Sequence, residues 1–278
     1  MPKGHRKNDR LLLQVKYGMV KEYKYYLFDI DRTLWDFDFN AKSAIFHLIE
    51  RYNLGEKIGA NDKELFFHRY EEINKELWHS YEHGEISKDE LRSQRFHDTF
   101  LSFCRENGKF NSFGSSAEEQ MLNIKRFSEE FGEEYLEQMV YETALEPNAR
   151  EVLISLKERG CKIAVISNGF KEVQYRKLRN SNIIQYIDAF FISEEVGVHK
   201  PSPIIFRMAL SALCGEENYA NNILRSKIKS ETLMVGDDFE NDIEGAQIFG
   251  IDQFYYNPKH KPCDGGPTYE SDNLIDLL

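Results

Sequence analysis

Tyr26-Leu27-Phe28-Asp29-Ile30-Asp31-Arg32-Thr33-Leu34 is the stretch from which the fold can be read. Its apolar, aromatic half is short and β-favouring, so residues 25–31 read as a buried strand. The run closes on two carboxylates spaced two apart. Strand side chains alternate with period two, which starts Asp29 and Asp31 on one face. Like charges side by side in a partly buried place repel unless a cation or a shared proton intervenes. A turn after the strand is expected to re-aim Asp31.

Four further runs have strand character: residues 162–168, 189–193, 232–237 and 253–256. Helical patterns lie between most of them. Residues 150–159 are amphipathic and closed by Gly160. Ser202-Pro203 can cap and open a helix through Leu213, with Gly215 as its stop. Residues 241–249 read as another helix, ended by Gly250. Alternating strands and helices predict an α/β fold, a Rossmann-like core with a mostly parallel sheet flanked by helices.

About 130 residues separate the first two strands, far more than the ~30 of a simple βαβ unit. Most of that segment is helical by pattern. Ala41, Ala44, Ile45, Leu48, Ile49 and Tyr52 follow i, i+3, i+4, i+7 spacing, as do Leu65, Phe66, Tyr70, Ile73 and Leu77. Ser87 with Glu90 has the form of a capping box, and Ser116 with Glu119 is a second helix start. No strand is expected between residues 38 and 143. The predicted organisation is an N-terminal extension over 1–18, an α/β core over 19–37 and 144–278, and an inserted all-helical cap over 38–143. Met19 is a candidate physiological start, and 37–40 and 143–147 are the expected hinges.

The chain has 278 residues, with 41% hydrophobic and 30% charged content, as in an ordinary globular protein. A net charge of −11 disfavours binding to nucleic-acid polymers, whose affinity comes largely from Lys and Arg. No apolar run approaches the ~18 residues of a membrane span. The basic stretch 3–10 and Leu11-Leu12-Leu13 stop short of the ~7–15 apolar residues of a signal peptide. Cys104, Cys161, Cys214 and Cys263 form no C-x-x-C pair, so reduced thiols and a cytoplasmic location are expected.

Three more polar segments follow predicted strands: Ser167-Asn168-Gly169, Lys200-Pro201 after the third strand, and Gly236-Asp237-Asp238 with Asn241-Asp242. Open α/β sheets bind ligands at the carboxyl ends of their strands. That edge can gather Asp29, Asp31, Ser167, Lys200, Asp237 and Asp242. The set suits phosphoryl transfer. Carboxylates hold a hard cation such as Mg²⁺, and a screened carboxylate is a nucleophile for phosphorus. Ser167 and the amides beside Gly169 donate to phosphate oxygens, and Lys200 adds positive charge. Each piece alone has a plainer reading: Asp29-x-Asp31 as a turn, Ser-Asn-Gly as turn chemistry, Lys200 as a loop lysine, Asp237 and Asp238 as helix-start residues. Their order along the chain is what points to a site.

Together, Asp29-Ile30-Asp31-Arg32-Thr33, Ser167-Asn168-Gly169, Lys200-Pro201 and Gly236-Asp237-Asp238-x-x-Asn241-Asp242 resemble the four ordered motifs of the haloacid dehalogenase superfamily. The helical insert resembles its first class of cap. Asn74-Lys75-Glu76-Leu77-Trp78, Gly84-x-Ile86, Ser167-Asn168-Gly169-Phe170 and the run from Ile192 to Pro201 resemble the pyrimidine 5′-nucleotidase branch. The resemblance implies Asp29 as the nucleophile and Asp31 as acid and then base. Thr33 would position Asp31 and the loop. Ser167, Asn168, Gly169 and Lys200 would hold phosphate, with Thr33 beside them. Mg²⁺ would sit on the side chains of Asp29 and Asp237 and the backbone carbonyl of Asp31, with Asp242 behind. Arg32 is a bulky choice beside the nucleophile.

The expected activity is Mg²⁺-dependent hydrolysis of a small phosphomonoester, a nucleoside 5′-monophosphate and pyrimidine by preference. The alternatives are a sugar-phosphate phosphatase or a phosphoglucomutase-like phosphotransferase on the same core. A non-catalytic binding protein is disfavoured because every charged motif position is intact. Trp35, Phe37 and Trp78 are the expected aromatics of a leaving-group pocket.

Overall fold

The computed structural model describes residues 20–263 and 265–278; the expectations for residues 1–18 and Met19 lie outside them. Six strands form one sheet: β1 (Tyr25–Phe28), β2 (Lys162–Ser167), β3 (Ala189–Ile192), β4 (Thr232–Gly236), β5 (Asp252–Tyr256) and β6 (Tyr269–Ser271). Their order is β3-β2-β1-β4-β5-β6, with every pairing parallel. β1 is central, with Leu27 level with Ala164 on one side and Met234 on the other. Its neighbours Ile163-Ala164-Val165-Ile166 and Leu233-Met234-Val235 are fully buried. Such continuous apolar runs belong to a sheet covered on both faces. Two expectations change. The first strand ends at Phe28, because the chain turns before Asp31. β6 has no counterpart among the predicted strands; its three residues are only half-buried and carry little pattern.

The insert is all helical: α1 (Phe37–Arg51), α2 (Leu54–Ile58), α3 (Lys63–Glu82), α4 (Lys88–Asn107) and α5 (Ala117–Tyr141), with a short 3₁₀ turn at Phe110–Phe113. The chain divides into two compact units. One joins the residues up to Phe37 with Thr143–Leu278, and the other is Asp38–Glu142. The capping box forms as read: Glu90 N donates to Ser87 Oγ at 3.2 Å and Ser87 N donates to Glu90 Oε2 at 2.7 Å. Ser116 Oγ likewise accepts from Glu119 N. The buried stripe of α3 is Phe66, Phe67, Tyr70 and Asn74; Leu65, expected on it, is exposed because Phe67 takes its place. The cap core is aromatic. Phe131 lies 4.9 Å from Phe96 and 5.1 Å from Phe100 by ring centroids. Tyr70 donates to the Tyr135 hydroxyl at 3.0 Å, which satisfies both buried phenols. Trp78 is half-buried, edge-on to Tyr81.

The sheet is flanked by α6 (Ala149–Glu158), α7 (Lys171–Asn180), α8 (Ser193–Val196), α9 (Pro203–Cys214), α10 (Glu216–Ala220), α11 (Asn222–Ser230) and α12 (Gly245–Phe249). On one face Leu27, Ala164, Ile166 and Met234 pack against Ile205, Phe206, Ala209 and Leu210 of α9. The single helix predicted over 241–249 is instead a π-helical turn, Phe239–Glu244, running into α12. The four cysteines are free. No described helix is long and apolar enough to cross a membrane.

Phe131 is the hub of the cap's aromatic core. Phe131→Ala is expected to lower stability by about 3–5 kcal/mol, and Phe131→Leu by under about 2 kcal/mol, in urea unfolding.

Candidate active site

The strand order reverses at β1, which pairs with β2 on one side and β4 on the other. This switch point of an open α/β sheet is where connections diverge and leave a crevice. Asp29 follows β1 directly, and its N–H donates to Val235 O at 3.0 Å, which pins it to β4. The chain then winds around one carbonyl: Thr33, Leu34 and Trp35 all donate to Ile30 O. Arg32 takes the left-handed conformation, φ 64°, uncommon for a residue with a Cβ. Its guanidinium lies 4.4 Å from the centroid of the Phe37 ring, a cation–π contact that helps hold the turn. Asp31 bridges Trp35 in parallel fashion, with Trp35 N donating to Ile30 O and Arg32 N to Trp35 O. In such a bridge the middle residue's own N–H and C=O point the other way, so the Asp31 carbonyl faces away from Trp35.

β4 ends at Gly236, Asp237 follows it, and the π-helical turn brings Asp242 back to Gly236. Carboxylate oxygens of Asp29, Asp237 and Asp242 lie within 4.8 Å of one another. Lys200 is buried among them, donating at 2.6 Å to both Asp29 Oδ1 and Asp242 Oδ1. Asp242 Oδ2 accepts from Asp238 N at 3.2 Å, so both of its oxygens are engaged. A Cβ on Gly236 would fall 2.1 Å from Asp242 Oδ2, so this close approach requires glycine.

The charges do not balance within the cluster. Burial alone would lower the Lys200 pKa, but Asp242 and Asp29 outweigh it and keep the ammonium firmly charged. Burial raises the Asp29 carboxyl, and Asp31 adds to the rise against Lys200. Burial and then Asp29 push Asp237 up to about 6, with Lys261, 3.3 Å away, opposing. Asp242 is raised by burial and by Asp29. Three carboxylates with one central lysine leave room for more positive charge. All-oxygen donors are what a hard divalent cation takes, so the residues present fit Mg²⁺.

A model of the haloacid dehalogenase-like hydrolase family matches residues 23–250. The chain belongs to that family. It is 30% identical to the pyrimidine 5′-nucleotidase PynA of Streptococcus pneumoniae over 258 residues, 92% of this chain and 94% of the other. Identity to the pyrimidine 5′-nucleotidase YjjG of Escherichia coli is also 30%, over 90% of this chain and 94% of that one. The fold matches the crystal structure of the putative hydrolase YfnB of Bacillus subtilis, itself bound to magnesium. There the TM-score is 0.67 at 24% identity, covering 92% of this chain and 97% of the other.

The remaining motif residues of this hydrolase fall at the same edge. Ser167 ends β2, and its Oγ accepts from Gly169 N at 3.1 Å. Asn168 clamps the lysine loop: its Nδ2 donates to Lys200 O at 3.1 Å and its Oδ1 accepts from Lys200 N at 2.8 Å. Asn168 therefore positions Lys200. Thr33 is fully buried, and its Oγ1 has no hydrogen-bond partner among the described residues. It therefore makes no hydrogen bond to the Asp31 carboxylate. Trp35 is also fully buried, with Lys177 Nζ 4.2 Å from its ring centroid, so it offers no stacking platform.

Two residues at this edge are absent from the sequence reading. Gln174 and Lys177 of α7 both donate to the Asp31 carboxylate at 2.7 Å, on opposite oxygens. Gln174 Nε2 also donates to Ser167 Oγ at 2.8 Å. Burial pushes the Lys177 pKa down, with Asp31 opposing. A signal was present: both fall on the α7 stripe that Val173 and Leu178 bury.

Lys200→Met strands two buried carboxylates, and breaking such a pair costs about 3–5 kcal/mol. Urea unfolding in chelator is expected to show that loss, with no comparable loss for the exposed Lys162→Met. Gly236→Ala is expected to lower the melting temperature, because the new methyl must displace Asp242.

Proposed function

We propose that this protein is a Mg²⁺-dependent phosphomonoesterase that hydrolyses nucleoside 5′-monophosphates, pyrimidine by preference, through an aspartyl-phosphate on Asp29. The observation that carries the reading is the buried carboxylate cluster around Lys200 at the sheet's switch point, with Asp31 beside it. It supports the reading because Asp29, the carboxylates around Lys200 and Asp31 would then serve as nucleophile, cation-binding set and acid. The nucleotide class rests on the two pyrimidine 5′-nucleotidases that the chain resembles over most of its length.

In this reading an Asp29 oxygen attacks phosphorus and the ester P–O bond breaks. Asp31, protonated, gives its proton to the departing alkoxide. Asp31, now a carboxylate, takes a proton from water as that water attacks the phosphoryl group, and the P–O bond to Asp29 breaks to release phosphate. Lys200 holds Asp29 and faces the phosphoryl charge, and the Ser167 hydroxyl binds a phosphate oxygen. The side chains of Asp29 and Asp237 and the Asp31 carbonyl would hold Mg²⁺, with Asp242 held back by Lys200 and Asp238. When bound, the cation screens the nucleophile from its substrate and neutralises charge on the phosphoryl oxygens. Asp31 also separates hydrolysis of phosphate esters from dehalogenation, which needs no acid for a halide.

The test is phosphate release from a panel of nucleoside monophosphates and sugar phosphates, with Mg²⁺ and with chelator. UMP and dTMP are expected to lead the panel, and chelation to abolish turnover. Asp29→Asn should fall to background, and Asp31→Asn should lose about 10²–10⁴-fold on nucleotides. Absence of Mg²⁺-dependent release from any phosphomonoester would overturn the proposal. A sugar phosphate leading the panel would overturn its nucleotide part alone.

A further inference from the structure

Lys177 and Gln174 bury a charge and an amide where α7 needs neither. Lys177 is 2% exposed and Gln174 1%. A buried ammonium costs several kcal/mol unless paired and hydrogen-bonded. Here its partner is one acidic residue of the opening motif, Asp31. The ring of Trp35 lies beneath the same ammonium, and that of Phe37 is 5.3 Å away. Each aspartate of the pair thus has its own buried lysine, Lys200 for Asp29 and Lys177 for Asp31.

The arrangement fixes the plane of the Asp31 carboxylate. Asp31 sits on a turn and would otherwise be free to rotate about two side-chain bonds. Lys177 takes Oδ1 and Gln174 takes Oδ2. An ionised carboxylate has about four acceptor sites, so one donor on each oxygen leaves each with a lone pair for a proton in transit. Gln174 spends its second N–H on Ser167 Oγ, which ties the acid–base residue to the proposed phosphate-binding hydroxyl through one amide group. Gly169 makes this possible: a Cβ there would fall 2.2 Å from Gln174 Nε2. The glycine of Ser167-Asn168-Gly169 thus also makes room for the amide that aims Asp31.

We propose that Lys177 and Gln174 are positioning residues that aim the Asp31 carboxyl at the leaving-group oxygen. The proposal rests on the phosphatase reading above. Its signature is a dependence on the leaving group. An alkoxide cannot depart without a proton, whereas 4-nitrophenolate departs without one. A residue that only held α7 in place would affect both esters equally.

The experiment measures kcat/KM, which reports steps up to aspartyl-phosphate formation, for UMP and 4-nitrophenyl phosphate with Mg²⁺. Wild type, Lys177→Met and Gln174→Met are compared, with melting temperature as the control for folding. Misplacing a reacting group by about 1 Å costs ~100-fold. Each variant is expected to lose about that factor on UMP and under about threefold on 4-nitrophenyl phosphate, as loss of proton donation alone predicts. An equal fall on both esters, or none on UMP, in a folded variant overturns the proposal. If one variant fails to fold, the other decides. If wild type cleaves neither ester, the phosphatase reading fails and this inference with it. If wild type cleaves both and the ratio stays unchanged in the variants, only the positioning role falls.

Discussion

Three carboxylates held within 4.8 Å of one another repel, and one buried lysine, Lys200, stands between two of them. Much of the α/β unit's local structure serves that balance. β1 and β4 bring Asp29 and Asp237 to the same edge of the sheet. The π-helical turn returns Asp242, and Gly236 lets it approach. Asn168 grips both the N–H and the C=O of Lys200, so the lysine is held by its backbone as well as by its charge. The surplus negative charge is the physical basis for the cation proposed there.

Asp31 is handled differently from Asp29 although they are two residues apart. Asp29 continues the ladder of β1 to β4, buried and fixed by the sheet. Asp31 lies past a tight turn around Ile30 O, with Arg32 in the left-handed region. The sheet cannot aim it, so side chains from another element do. Gln174 and Lys177 come from α7, the helix that follows the Ser167 strand. The proposed division of labour between attack and proton transfer therefore has a structural counterpart in how each carboxylate is supported.

The strands β1 to β5 were legible because each is a short apolar run, and the motif residues because they cluster just beyond strand ends. The capping box, the second helix start and the helical character of the insert were legible from local spacing. β6 was not, since three half-buried residues carry no alternation. Leu65 was placed on the wrong face because Phe66, Phe67 and Tyr70 shift the stripe by less than the pattern resolves. Thr33 and Trp35 looked available beside the acidic pair, but the turn on Ile30 O sends both inward. Gln174 and Lys177 were not legible by residue type, because polar side chains at helical spacing are usually outside and nothing in their chemistry marks these two as buried.

What the sequence determined by itself was the α/β class, the inserted helical cap and the identity of the charged motif groups. Those follow from periodicity and from residue type, which are local. Only the tertiary structure decided which groups share an atom-to-atom contact: Lys200 across Asp29 and Asp242, and Lys177 with Gln174 across Asp31. The physical reason is that these contacts join residues 42 to 171 positions apart. Charge and hydrogen bonding act across space, and the sheet order that sets those spaces is not written in any single stretch of chain.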